Sequence, residues 1–215
     1  MRLVNSVLFV LSFLFTLNTS SAQKLKSVKL MEGVKVSLPK DFALMSDDDV
    51  AQKYPSTKKP LVLYTSPDRI IDFGLNVTKS KFPGNDLELL KGIYKSTFLH
   101  MYNKVTFLQE EIKTVNKRKF ISFEFIAEFE GQRTYSNLMY TLVKDQVFLF
   151  NFTCPQPVYQ KWQATANAIM PTIKMSLSTP IEVKHEEKAG VKKYVPKKIK
   201  MAPSGKPAQP APASK

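Results

Sequence analysis

The chain has 215 residues, with 32 Lys plus Arg against 18 Asp plus Glu, two His, one Cys and a formal net charge of +14. That length suits one domain with an appendage. The single cysteine, Cys154, excludes an intramolecular disulfide, so the fold must rest on its apolar core.

Residues 1–22 have the layout of a secretory signal peptide: Arg2, an apolar run from Leu3 to Leu17, then small Ser20-Ser21-Ala22 before an expected cut ahead of Gln23. The apolar run falls short of the roughly 20 residues that a spanning helix needs. Asn18-Thr19-Ser20-Ser21 ends it abruptly, and no cysteine stands at the cut to carry a lipid. The expectation is an exported chain, periplasmic or secreted, with no transmembrane segment in its mature part.

Residues 23–178 carry regularly spaced apolar segments and read as one domain. Gly33 to Leu38 alternates and ends at Pro39, which predicts an edge or terminal strand. Ser46-Asp47-Asp48-Asp49-Val50 predicts the capped, acidic first turn of a short helix. Leu61 to Thr65 and Ile70 to Thr78 follow as strands around a turn at Ser66-Pro67-Asp68.

A helix is expected from Asp86 to Tyr102, capped by Asn85 with Glu88 completing a capping-box-like arrangement. Leu87, Leu90, Tyr94, Phe98 and Met101 define its apolar stripe. Four strands come next: Val105 to Val115, Lys119 to Glu130, Arg133 to Val143 and Gln146 to Thr153. Their short connections predict an antiparallel meander with one buried face. Pro157 opens a second helix reaching Met170, with Val158, Trp162, Ala166 and Ile169 as its stripe. Pro171 stops it, and Ile173-Lys174-Met175 closes the domain. Helices against a mostly antiparallel sheet give an α+β class.

The tail, residues 179–215, holds nine Lys against three Glu and is rich in Pro and Ala. Such a segment lacks the apolar area to offset its ordering entropy, so it reads as a disordered basic arm, either a solvated tail that aids solubility or an arm drawn to polyanions.

In element order and hydrophobic pattern, the chain resembles the Mog1/PsbP-like family, including DcrB-type exported bacterial proteins. The resemblance is carried by Leu38-Pro39 with Phe42 after it and by Asp72-Phe73-Gly74-Leu75-Asn76-Val77. It continues through the helix from Asp86, the meander ending in Phe148 to Thr153, the Trp162 helix and Ile173-Lys174. It implies an α/β/α sandwich with a mostly antiparallel sheet, used as a binding or accessory module.

No residue is assigned a catalytic, cofactor-binding or metal-ligating role. Gly-x-Ser-x-Gly and phosphate-cradling Gly-rich loops are absent from the sequence. His100 lacks companions at ligand spacing, and His185 lies in the tail. Cys154 reads as a small buried hydrophobe. Asp47 to Asp49 lacks the alternating pattern of a calcium loop. Asn76-Val77-Thr78 and Asn151-Phe152-Thr153 match the glycosylation pattern within expected strands, a chance match unless the host is eukaryotic. The expected function is that of an exported, non-catalytic binding or accessory protein of the bacterial cell envelope. Its expected partner is an envelope protein or an anionic polymer, not a specific nucleic acid. The alternative is a periplasmic hydrolase or transferase using His100, Cys154 or Asp47 to Asp49.

Overall fold

The computed structural model describes residues 23–54, 59–79, 86–144 and 146–177. The expected signal peptide, tail residues 179–215, His185 and Asn85 lie outside them. In chain order the elements are β1 (Leu25–Met31), β2 (Val34–Pro39), β3 (Ala43–Leu44), α1 (Asp47–Lys53), β4 (Val62–Thr65), β5 (Asp72–Lys79) and α2 (Leu87–Met101). The chain continues with β6 (Lys104–Val115), β7 (Arg118–Phe129), β8 (Gln132–Val143), β9 (Gln146–Pro155), α3 (Tyr159–Ile169) and β10 (Lys174–Met175).

The class is α+β, as expected. One sheet has the order β1-β2-β10, the other β3-β4-β5-β9-β8-β7-β6, and every pairing is antiparallel. β5 is followed in sequence by β6 but pairs with β9, so four interstrand steps separate β5 from β6. At about 4.8 Å per step that is roughly 19 Å. The 15 residues of α2 cover about 22 Å at 1.5 Å each. The helix therefore carries the chain across the sheet, and the meander walks back.

The sheet's two faces differ in cover. Leu90 and Phe98 of α2 pack with Ile121, Phe123, Phe125, Leu138 and Tyr140, and Tyr94 stacks on Tyr140 at 4.2 Å between centroids. Farther along the same face, α1 sets Val50 against Met45 and Leu63. The opposite face carries Phe148, Phe150, Phe152 and Cys154, where Trp162 of α3 meets Phe152 and Phe42.

Several expectations change here. The meander is buried on both faces where one was expected: α3 packs on β8 and β9, and Phe120 is buried with Ser122 and Glu124, two residues that sequence alternation set on the other face. β1 was not expected, since its burial alternates weakly among lysines. The α2 cap is Asp86, whose carboxylate accepts from Leu89 N at 3.0 Å. That register puts Leu89, not Glu88, at the third helical position. Met101 is half exposed, and Tyr102 takes its place in the packing. Pro157 falls inside a short 3-10 turn, Gln156–Val158, that precedes α3, instead of opening the α-helix itself, and Val158 is only half-buried.

Candidate functional site, a lysine-lined cleft

β2 alternates Val34, Val36 and Leu38 inward with Lys35 and Ser37 outward. Its antiparallel register sets Lys35 directly opposite Lys29 of β1 on one side and Lys174 of β10 on the other. Directly paired residues share a face, so three lysines stand in one row across the three strands. Together with Glu32, Gly33, Asn116, Met175 and Ser176 they line a cleft of about 470 Å³.

Backbone contacts fix the frame of this cleft. The Gly33 carbonyl accepts from Ser176 N at 2.9 Å. Gly33 has φ +73°, and a Cβ there would come within 2.9 Å of Leu177. Asn116, in the β6–β7 turn, donates through Nδ2 to the Ile173 carbonyl at 2.7 Å. Arg118 donates to the Leu177 carbonyl at 2.6 Å. Among the described residues Glu32 is the one carboxylate lining the cleft, and it pairs with Lys29. The hydrogen bond and charge of Lys29, with the added field of Lys35, hold its carboxyl below the ordinary range. Three ammonium groups against one carboxylate leave the cleft net positive.

Two other polar clusters are closed on themselves. Asp72, at the start of β5, accepts from Lys53 Nζ at 2.8 Å, Tyr54 Oη at 2.6 Å and Thr65 Oγ1 at 2.8 Å. Burial, reinforced by this carboxylate, raises the Tyr54 hydroxyl well above its usual range. The cluster anchors the end of α1 to the sheet. Glu124, buried in β7, accepts from Tyr135 Oη at 3.0 Å and from Gln163 Nε2 of α3 at 2.5 Å. Tyr135 also stacks on Tyr159, so this cluster locks α3 down.

The residues weighed from sequence fall apart in space. Cys154 is buried beside Tyr135 on the α3 face, and burial pushes its thiol up to about 12. His100 is exposed near the end of α2, on the other side of the sheet, with Nδ1 2.6 Å from the Ser96 carbonyl. Asp47 to Asp49 form the first turn of α1: Ser46 Oγ accepts from Asp49 N, and Arg69 reaches Asp49 at 3.3 Å. Asn76 and Asn151 lie within β5 and β9. Among the described residues no group of His, Cys, Asp and Glu could hold a metal ion, and no helix is long and apolar enough to cross a membrane. Sequence reasoning missed Lys29, Lys35 and Lys174. The only hint was the single outward Lys35 in an alternating strand.

No family model and no curated protein matches the chain. Among solved structures, cyanobacterial PsbP (CyanoP) from Synechocystis sp. PCC 6803 matches with a TM-score of 0.52 at 8% identity, over 74% of this chain and 95% of that one. The chain has the Mog1/PsbP-like fold. The Saccharomyces cerevisiae Ran-binding protein Mog1p matches at TM-score 0.45 and 11% identity, over 67% of this chain and 84% of that one. LpqN, involved in cell envelope biogenesis of Mycobacterium tuberculosis, matches at 0.46 and 13%, over 73% and 91%. At such identities the Mog1/PsbP-like fold is shared architecture, and function has to be argued from this chain's own surface.

Proposed function

We propose that this is an exported, non-catalytic binding or accessory protein of the bacterial cell envelope, of DcrB-like type, whose basic tail adheres to anionic envelope polymers. One observation carries the reading. The last described strand, β10, supplies a lysine to the cleft, and the tail with its nine Lys and three Glu follows within a few residues. The domain thus adds fixed cations at the end of the chain from which a cationic arm continues. Long-range attraction to polyanions and counterion release both favour such a pairing. The separation of Cys154 and His100 onto opposite sides of the sheet, with the thiol protonated at neutral pH, weighs against a Cys-His site.

The test compares the full chain with one ending at Ser178, which keeps every described residue. Retention on anionic envelope extract should be weaker for the shortened chain. The gap should close as salt rises toward 1 M, where the screening length drops to about 3 Å. Equal retention of both chains at every salt concentration would sink the proposal.

A further inference from the structure

We infer that the cleft is a subsite for a short run of linked phosphate groups, with Lys29, Lys35 and Lys174 as its donors and Glu32 as the group the ligand displaces. This rests on the anionic-polymer reading and gives that reading a ligand chemistry.

The geometry argues for several linked anionic groups rather than one. Neighbouring strands stand about 4.8 Å apart, so three side chains at one level of the sheet span roughly 10 Å between the outer backbones. A linked series of anions can meet all three ammonium groups across that span without the outer side chains having to converge on one point. The residue type argues for phosphate. Among the described residues no arginine lines the cleft, so recognition falls to lysine, which binds phosphate as a point charge. It offers a compact charge with three rotatable donors, adaptable to tetrahedral oxygens at varied bearings.

Like charges directly opposite one another are unfavourable in a sheet, and here the repulsion occurs twice in one row. Glu32 offsets part of it. Its side chain is 89% exposed and that of Lys29 is 55% exposed, so the pair is weakly held and open to exchange. A phosphate run can therefore take Lys29 from Glu32, and it meets a frame already set by Gly33, Asn116 and Ser176.

The experiment is calorimetric titration of the full chain with inorganic tripolyphosphate, orthophosphate and citrate at fixed low salt. Tripolyphosphate should bind about tenfold or more tighter than either comparator. Lys35→Gln and Lys174→Gln should each weaken it about fivefold, and Glu32→Gln should tighten it about threefold. Lys104→Gln and Glu130→Gln make the same changes in net charge. Lys104 lies at the far end of β6 from Asn116, and Glu130 in the turn after β7. These two control variants should bind as the unaltered chain does.

Equal weakening by Lys35→Gln and Lys104→Gln would make the binding diffuse and overturn the inference. Citrate binding as tightly as tripolyphosphate would overturn the phosphate assignment, and an unchanged affinity in Glu32→Gln would overturn the displacement. The tail reading stands or falls separately, on the shortened chain, because all of these variants keep the tail.

Discussion

Asp72 is 3% exposed and takes three hydrogen bonds from its neighbours, whereas Lys35 stands in solvent between two other lysines. A buried charge survives only when paired and hydrogen-bonded, so the Asp72 cluster is complete without a ligand. The lysine row is the opposite case, since its unfavourable charge pairing is only partly offset, by Glu32. Cys154 belongs with the completed residues. Its thiol is pushed by burial from an ordinary 9.0 to about 12, so at pH 8 the native chain should hold about a thousandfold less thiolate than the unfolded one. Iodoacetamide should accordingly label native Cys154 far more slowly than Cys154 in urea, and similar rates would contradict the assigned burial. The linkage has a definite sign. The folded chain keeps this proton where the unfolded chain has lost it, so the thiol's stabilising effect is complete below about pH 9 and falls away as pH rises toward about 12.

At the level of elements, local chemistry was legible wherever it acted alone. Asn116-Lys117 and Glu130-Gly131 are two-residue connections with positive φ throughout, at 46°, 68°, 50° and 76°. This is the pattern of type I′ hairpins, which match the strand twist. The strand bounds expected from sequence left 116–118 and 131–132 as the connections, so the first turn was placed on its residues and the second one residue late, with Glu130 counted in the strand. Ser46 likewise caps α1 as its sequence predicted. What local chemistry could not show was cover from distant parts of the chain. Glu124 looked like an outward residue, and only Gln163 of α3 and Tyr135 of β8 make its burial tolerable. β1 was invisible because it leans on β2 for its register. The turn geometry gives a prediction of its own. Lys117 occupies a left-handed conformation that glycine adopts without penalty. Lys117→Gly should raise stability by about 0.5–1 kcal/mol, the lower end reflecting glycine's greater freedom when unfolded. Urea unfolding measures this, and a loss of stability would mean that the Lys117 side chain makes a contact worth more than the strain.

For the whole molecule, the lysine row is a product of topology. Lys35 and Lys174 are far apart in sequence, and they meet only because β10 returns to β2 after the chain has built the entire seven-stranded sheet. No window of sequence contains that alignment, which is why composition revealed a basic chain but not where its charge is concentrated. If the row and the tail grip one polymer, their contributions to the salt dependence should combine. Each cation–phosphate contact steepens the fall of log affinity with log salt by roughly one unit or slightly less. Against a phosphodiester polymer, neutralising Lys35 and Lys174 in the full chain should flatten the slope by about two units at most. Removing the nine-lysine tail should flatten it more. Both changes together should flatten it by the sum, because rigid row and flexible arm would each release their own counterions. Slopes from binding isotherms between low and moderate salt measure all four chains. A combined effect no larger than that of the tail alone would mean that the row meets the polymer only when the tail has already bound it.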